Sequence, residues 1–548
     1  MAPTWEVRTS SIERVFAATP ASERLVALSL LDATTANFSF TSALWLLESP
    51  AGGLGDEFSL LRHLRSSLSA ALDFYPWWCG RLKSITSLDG TVEDGTARHL
   101  PRHARRYGRV YAQYGVLDQD PGVEFIEATS PATLDDLYET GRPQETPLWN
   151  QTGLSLNSFG PSTSIASALE ANEPVAGTRR PLMAIQVTEL ACGGIALAVK
   201  GAHPLADITS LVRFVKDWAS VSRSALNSST PEIEPVILDP ELLDSKAAGD
   251  INADEADATI IRQAESLPLH RYDWWTSPGG PAWATKKPSV FPEDLAPAGR
   301  PIPWSEWDFA APVSTYIVHF DRAQIDALWK EATKSAEGPS GLRISKHDAI
   351  LAHIWSCIMR ARQLEQDPNP VHCDLVLGVR PALKLSDAFM GSPIIMVNIE
   401  MAGSDVAAKA SGTGSEGVES KIARRIRETL IDTSNPKNLA AHLHSVAYEK
   451  SPQRLWQAFL GRRHILVTTW ARAGIYDVDF GLGSGIRYAD AVLPAMDGGV
   501  LIKEGPSSSA IPSSAPSWTD NGVDVTVHLR TEDMERLVLD PQLLPVCT

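Results

Sequence analysis

One histidine and one aspartate have the types and the spacing that general base chemistry uses. His203 and Asp207 form a His-x-x-x-Asp element. Neutral imidazole titrates near neutral pH, so one positioned histidine can deprotonate a hydroxyl or an amine that attacks an acyl group. The element alone is a weak signal, because a chain with 13 His and 66 Asp+Glu among 548 residues contains about one such pair by chance. A surface histidine followed by an ordinary helix N-cap is the alternative at this point.

The sequence around His203 predicts the elements that position it. Residues 182–188 and 195–200 are apolar or alternating and flank a Gly-Gly pair, which predicts two strands joined by a tight turn. Apolar residues then recur at helical spacing, which predicts a helix over 207–221 with Asp207 at its N-cap. His203 is therefore expected in the loop between a strand and a helix.

The length of the chain and the variation of its composition along the sequence predict two large domains. A chain of 548 residues exceeds one typical domain several-fold. Residues 227–312 begin with a polar stretch, carry an acidic run and hold many prolines, which predicts an inter-domain crossover. The expected domains are 1–226 and 313–548. Further expected elements are a long surface loop over 155–179, helices over 346–362 and 419–430, and a strand over 523–529.

The charge balance bears on possible partners. Lys+Arg number 49 against 66 Asp+Glu, a net charge of −17, which repels phosphate backbones and anionic membrane surfaces. We therefore expect no nucleic acid and no membrane among the partners. No stretch has the composition of a signal peptide or a spanning helix. The expectation is a cytoplasmic monomer whose partners are small molecules.

The cysteines and histidines do not predict a metal site. Five cysteines are odd in number, widely spaced and never in a Cys-x-x-Cys pair, which argues against a disulfide framework and against zinc. His347 and His353 are six residues apart, and His442 and His444 have no cysteine or carboxylate at a recognisable metal-ligand spacing. No metal is expected.

Several separate segments resemble the BAHD acyltransferases, in the branch found in fungal specialised metabolism, and they occur in family order. They are residues 28–32, expected as the opening strand; 74–76 with 80–82; 181–207; 235–243; 344–349 with Trp355; 378–380; and 476–483. The resemblance spans about residue 28 to about residue 537, and seven ordered matches are far more specific than the His-x-x-x-Asp element alone.

The resemblance implies a fold and a reaction. The fold is α/β, with two chloramphenicol-acetyltransferase-like domains, each a mixed sheet flanked by helices, joined by a long crossover. The reaction transfers an acyl group from acyl-CoA, the co-substrate, to a hydroxyl or amine of a small specialised metabolite. His203 is the implied general base, midway along a tunnel between the domains, and no covalent intermediate forms.

The resemblance also implies roles for residues outside the His-x-x-x-Asp element. Asp207 is expected to form a structural ion pair with Arg380. Asp479, Gly481 and Gly483 match the family's Asp-Phe-Gly-x-Gly motif, which shapes the C-terminal domain far from the reacting atoms, and the glycines are expected in tight turns.

The segment that contains Thr468, Thr469 and Trp470 has two interpretations. A β-branched run with an aromatic residue is typical of a buried edge strand. In the family, the matching segment lines the tunnel opposite the histidine, and its hydroxyls and indole N–H face the substrate and the thioester. Both interpretations stay open from the sequence.

Three departures from the family pattern bear on the acceptor and donor preferences, and two alternative functions stay open. Ile208 follows Asp207 where the family has Gly, Leu482 replaces a Trp, and Ser392 replaces the Asn of a common Gly-Asn pair. A condensation-type enzyme that takes acyl groups from a carrier protein shares the fold, but it typically shows His-His-x-x-x-Asp-Gly, whereas this chain has Ala202 and Ile208. A non-catalytic protein that binds a small molecule is the other alternative.

Overall fold

The structure is a computed structural model in which the described residues are 5–37, 40–50, 59–86, 98–153, 156–169, 179–276, 278–285, 287–288, 291, 295–334, 342–409, 417–483, 485–506 and 517–546. Cys547 lies outside them. The strands of these residues are β1 (Arg8–Val15), β2 (Arg24–Ala27), β3 (Phe40–Leu47), β4 (Arg81–Ser84), β5 (Val110–Tyr114), β6 (Val123–Ser130), β7 (Leu148–Asn150), β8 (Met183–Leu190), β9 (Ile195–Ala202), β10 (Tyr272–Asp273), β11 (Arg300–Pro301), β12 (Val313–Phe320), β13 (Pro370–Gly378), β14 (Ile394–Ala402), β15 (His464–Thr469), β16 (Ile486–Ala491), β17 (Gly499–Glu504) and β18 (Val523–Arg530).

Helices cover both large sheets. Among the described residues, those of five residues or more are α1 (Leu30–Thr34), α2 (Leu60–Ala71), α3 (Ile208–Asn227), α4 (Ala258–Glu265), α5 (Arg322–Thr333), α6 (Lys346–Ala361), α7 (Val418–Thr433), α8 (Pro436–Tyr448) and α9 (Thr531–Val538). Of the helices in this part of the chain, none combines the length and apolar composition needed to cross a membrane.

Two mixed sheets form the framework. The first sheet has the order β1-β6-β8-β9-β3-β16, and the second has the order β14-β13-β15-β17-β18-β12-β7. In the first sheet β6 and β8 run parallel, and in the second β15 runs parallel to both β13 and β17. The other neighbours in both sheets are antiparallel. The expected fold class, with two mixed sheets flanked by helices, is confirmed.

Each sheet includes one strand from the other part of the chain. Strand β16, late in the sequence, pairs with β3 at the edge of the first sheet. Strand β7, from the N-terminal part, pairs with β12 at the edge of the second sheet. The expected linear division into 1–226 and 313–548 therefore does not account for these two strands. A shared apolar cluster lies where they cross, and it contains Leu44, Ile317 and Tyr488.

The expected crossover over 227–312 packs against the second sheet. It starts at the last residue of α3 and contains α4, and its Leu243 and Ile251 belong to the core of the second sheet. Isolated bridges join Ile237 to Phe389 and Leu269 to Val397. The prolines prevent long regular elements here, but the apolar residues between them are still buried in a core.

Several local expectations are met and two are not. The β8–β9 hairpin, the helix capped by Asp207 and the helix over 346–362 are confirmed. Residues 28–32 were expected as a strand, but Ser29 and Asp32 form a capping box that starts the helix α1. The expected surface loop over 155–179 contains a 3-10 helix over Leu156–Phe159 and is otherwise irregular where it is described. Its Phe159 is fully buried, because it packs in the shared cluster.

Candidate active site

Strand β9 delivers His203 to the junction between the sheets. β9 lies inside the first sheet, between β8 and β3, and ends at Ala202. His203 starts a single 3-10 turn that includes Pro204. Asp207 then caps α3, and its carboxylate accepts from the Ser210 backbone N–H at 3.0 Å. A short strand-to-helix connection thus holds the histidine by backbone contacts on both sides.

The Ser392 hydroxyl orients the His203 ring. His203 Nδ1 lies 3.0 Å from Ser392 Oγ, and the same hydroxyl donates its hydrogen to the His203 carbonyl oxygen. Since the hydroxyl has only one hydrogen, its oxygen must accept from Nδ1–H. In the neutral ring the proton is therefore on Nδ1, and Nε2 is the free basic nitrogen.

Burial keeps His203 neutral at neutral pH. Protein surrounds the ring, and this burial lowers the pKa of His203 below its usual 6.5, while the charge of Asp207 opposes the shift only in part. The residue nevertheless keeps an intermediate solvent exposure. The arrangement suits a base that a small molecule can reach.

Asp32 fixes Ser392 from the other side. Its Oδ1 accepts from the Ser392 backbone N–H at 2.5 Å, and its Oδ2 accepts from the Ser29 N–H at 2.9 Å. Burial raises the pKa of Asp32 to about 7, against the opposing effect of these hydrogen bonds. Gly391 allows the approach, since its φ is +110° and an added Cβ would lie 2.5 Å from Asp32 Oδ1.

Asp207 and Arg380 form the ion pair that the resemblance implies. Arg380 donates from Nη1 to Asp207 Oδ2 at 2.5 Å and from Nη2 to Oδ1 at 3.1 Å. Both side chains are under 10 % exposed, at 6 % and 8 %. The bidentate geometry is the strong form of this interaction. No hydrogen bond joins either side chain to the His203 ring among the described residues. Apart from the charge of Asp207, which opposes the lowering of the His203 pKa, the pair therefore acts on His203 through intervening residues.

The indirect path runs through Gly391. Its carbonyl oxygen accepts from the Asp207 N–H at 3.0 Å, from Ser210 Oγ at 2.9 Å and from Arg380 Nη2 at 3.2 Å. The next residue is Ser392, which holds His203. The ion pair therefore fixes the segment that orients the base, although the two parts of the site are far apart in sequence.

The Asp-Phe-Gly-x-Gly motif requires a correction. We expected it to shape the C-terminal domain, but Phe480 belongs to the core of the first sheet and packs edge-on against Trp218 of α3 at 5.0 Å. Gly481 and Gly483 have φ values of +77° and +67°, as expected for tight turns. Asp479 Oδ1 accepts from the Gly481 N–H at 2.8 Å. The motif packs on the first sheet because the apolar ring of Phe480 contacts Trp218 of α3.

The motif lies far from His203, as the resemblance implies. The Phe480 carbonyl oxygen accepts from Ser222 Oγ at 2.8 Å. Ser222 lies on α3, 15 residues after Asp207, which corresponds to about 23 Å along a helix axis. The motif therefore holds the far end of the helix that Asp207 begins.

Thr468, Thr469 and Trp470 lie at the end of an interior strand, not an edge strand. β15 pairs with β13 on one side and β17 on the other. Alternation places Thr468 on the same face as Leu466, whose cluster includes Trp456, and Thr469 on the opposite face. Trp470 is 4 % exposed and packs in the core of the first sheet. Within the described residues, no hydrogen bond of these side chains reaches His203.

The sequence analysis assigned no role in the site to three of its residues. Ser392 was noted only as a departure from the family pattern, and Asp32 only as the end of an expected strand. Trp456, whose ring centroid lies 6.3 Å from that of His203, carried no motif. The capping box at Ser29 was the available signal for Asp32. Among the described residues, no group of His, Cys, Asp and Glu is placed to hold a metal ion.

Comparisons with known proteins show the family of the chain. The model of the transferase family matches residues 113–269 and 305–544, well over half of the chain. The acyltransferase AFT15-1 of Alternaria alternata is 28 % identical over 520 residues, which cover 92 % of this chain and 90 % of that protein.

Two solved structures share the fold. The TRI101 protein of F. graminearum, in complex with coenzyme A and deoxynivalenol, has a TM-score of 0.66 at 16 % identity, covering 95 % of this chain and 98 % of that one. Vinorine synthase has a TM-score of 0.58 at 17 % identity, covering 99 % of each chain.

Proposed function

Because the chain belongs to the BAHD transferase family, an acyl-CoA-dependent acyltransferase family, we propose that the protein transfers an acyl group from acyl-CoA directly to an acceptor, with His203 as the general base that deprotonates the acceptor. The acceptor is a small specialised metabolite that attacks through a hydroxyl or an amine. The orientation of His203 by Ser392 supports this proposal most directly, since it leaves Nε2 unprotonated and free.

The reaction needs one proton acceptor and no covalent intermediate. Nε2 of His203 takes the proton of the acceptor hydroxyl or amine as its oxygen or nitrogen attacks the thioester carbonyl. The tetrahedral intermediate collapses, the carbon–sulfur bond breaks, and the proton on Nε2 passes to the leaving thiolate. The products are the ester or amide and free coenzyme A. The low pKa of His203 keeps the base unprotonated at the start of the cycle.

Of Thr468, Thr469 and Trp470, we propose Thr468 for the substrate passage and Trp470 for packing. Thr468 shares a strand face with Leu466, beside the cluster of Trp456. Trp470 is nearly inaccessible, which favours a packing role. Thr469 lies on the opposite face by strand alternation and has the weakest support of the three.

A coenzyme A release assay tests the proposed function. The purified protein is incubated with a panel of acyl-CoAs and a metabolite extract of the producing organism, and free thiol is measured. We expect release that depends on both the acyl-CoA and the extract. The matched control is His203→Ala, which is expected to fold normally and to release thiol about 10² to 10⁴ times more slowly.

The same assay separates the alternatives. A carrier-dependent enzyme releases no coenzyme A from acyl-CoA but does release acyl groups from a loaded carrier protein. A non-catalytic binding protein releases neither. Acceptor-dependent release by the His203→Ala variant at the wild-type rate contradicts the assignment of the base. The cytoplasmic location and the monomeric state stay predictions from the sequence, and light scattering of the purified protein measures the second.

A further inference from the structure

The short helix α1 lies between the two cores, beside the turn that carries His203. Its Leu30 and Leu31 pack in the core of the second sheet, whereas Ala33 packs in the core of the first sheet. The helix also packs against the 3-10 turn that starts at His203. A shift of α1 would therefore displace the turn at the base, because closely packed elements transmit strain.

A buried carboxylate from the crossover fixes the start of α1. Asp244 Oδ1 accepts from the backbone N–H of Leu30, the first residue of the helix, at 2.9 Å. The side chain of Asp244 is 2 % exposed, so water does not readily take its place. The N–H groups in the first turn of a helix lack partners within the helix, and a buried one needs an acceptor from elsewhere. Asp244 supplies that acceptor for Leu30.

Asp244 is itself held by the N-terminal part of the chain. His103 Nε2 lies 3.2 Å from Asp244 Oδ2, and Nδ1 of the same ring lies 3.1 Å from Asn252 Oδ1. The Asn252 oxygen also accepts from the His103 backbone N–H at 2.9 Å. His103 therefore joins two residues of the crossover. Since both oxygens of Asp244 have a hydrogen-bond partner, the orientation of its carboxylate is fixed.

Asp32 links α1 to the residue that orients His203. Its two oxygens accept from the backbone N–H groups of Ser392 and Ser29, and the Ser29 hydroxyl accepts from the Asp32 N–H at 3.3 Å. Ser29 and Ser392 are both fully buried, so without Asp32 their N–H groups would lack a partner. A series of hydrogen bonds and one helical turn therefore joins Asp244 to His203.

We propose that Asp32 and Asp244 are positioning residues for the general base. Asp244, in the crossover, fixes the start of α1, and α1 places Asp32 where it holds Ser392 and, through Ser392, the ring of His203. Neither carboxylate has a hydrogen bond to that ring among the described residues, so both act through other residues. The inference rests on the proposed function, because it concerns the base of that reaction. It also gives the crossover a role in the site.

Steady-state kinetics separate a positioning role from a purely structural one. Asp32→Ala leaves the Ser392 N–H without an acceptor, and we expect kcat to fall about 5- to 150-fold, the range for a buried donor that has lost its partner. The KM for the acyl-CoA should change little, because the carboxylate acts through the base. Asp244→Ala changes a residue one step farther from the base and is expected to lower kcat by a smaller factor. A wild-type kcat in either variant overturns the inference.

A conservative variant and a matched control make the kinetic test specific. Asp32→Asn keeps an oxygen that can accept from the Ser392 N–H but places an amide N–H against that of Ser29, so its kcat should lie between those of Asp32→Ala and the wild type. The control is Asp348→Ala, because Asp348 has the same place in the capping box that starts α6 and is also buried. It should lose stability and keep the wild-type kcat. An equal fall in kcat for Asp348→Ala overturns the inference.

A measurement without turnover keeps this test apart from the test of the proposed function. Nitrogen-15 NMR of the His203 ring reports which nitrogen of the neutral imidazole carries the proton, and that choice depends on the hydrogen bonds of the ring. We expect the proton on Nδ1 in the wild type and in Asp348→Asn, and a mixture of the two tautomers in Asp32→Asn. An unchanged His203 signal in Asp32→Asn overturns the inference, whether or not coenzyme A release is observed.

Discussion

Removal of the Ser392 hydroxyl is the sharpest test of how the base is oriented. Ser392→Ala deletes the oxygen that accepts from His203 Nδ1–H at 3.0 Å and the hydrogen bond to the His203 carbonyl. Ser392 is fully buried, so water does not readily replace the hydroxyl. The ring then has an unpaired buried N–H in its productive tautomer.

The size of the effect follows from that unpaired group. A buried donor without a partner costs about 1–3 kcal/mol. If this cost applies to the productive orientation, kcat falls by about 5- to 150-fold, since each 1.36 kcal/mol is a factor of ten. The KM for the acyl-CoA should change little, because the hydroxyl touches the base and not the substrate.

Steady-state kinetics with a double variant make the test specific. Ser392→Ala combined with His203→Ala should be no slower than His203→Ala alone, since Ser392 acts through the base. Ser392→Thr keeps the hydroxyl and should keep more activity than the alanine variant. The matched control is Ser356→Ala, which removes another fully buried hydroxyl, one that donates to the Val406 carbonyl at 2.7 Å, and should leave kcat unchanged.

Two results would refute the reasoning about Ser392. One is a Ser392→Ala enzyme with the wild-type kcat. The other is a double variant whose loss is the product of the two single losses, which would mean that the serine and the histidine contribute independently. Nitrogen-15 NMR of the His203 ring gives an independent reading, because it reports directly whether the neutral ring carries its proton on Nδ1.

Four further outcomes are expected. His203→Ala should lose about 10² to 10⁴ in rate with an unchanged circular dichroism spectrum, and near-full activity would rule out the base. Asp207→Ala and Arg380→Ala should each lose on the order of 3–5 kcal/mol of stability, measured by urea unfolding, and equal unfolding midpoints for both variants and the wild type would contradict the buried pair. Trp470→Phe should keep kcat within a few-fold and lose at most about 1.5 kcal/mol of stability, whereas a fall of about 10² or more would assign its N–H to the oxyanion. Because burial lowers the pKa of His203, kcat/KM should be constant at neutral pH and fall only below about pH 6.5 as the base is protonated, and a midpoint above pH 7 would contradict this.

Local sequence determined the elements that carry the base. The period changes from alternating to helical within a few residues of His203, and both periods follow from backbone geometry. Asp207 was predicted as an N-cap for the same local reason. The ion pair with Arg380 was implied only by the resemblance to the family, because nothing local relates residues 173 positions apart.

Tertiary structure decided how the base is oriented and what surrounds it. Ser392 is 189 residues from His203, and Asp32 is 360 residues from Ser392, so no spacing in the sequence relates them. The same holds for β16 and for Phe480, which leave their own part of the chain to pack on the first sheet. Edge strands and apolar rings are completed by whichever partner the fold brings within reach. The local pattern and the resemblance to the family together indicated His203 as the candidate base, while the packing of the two sheets decided the orientation of its ring and the lowering of its pKa.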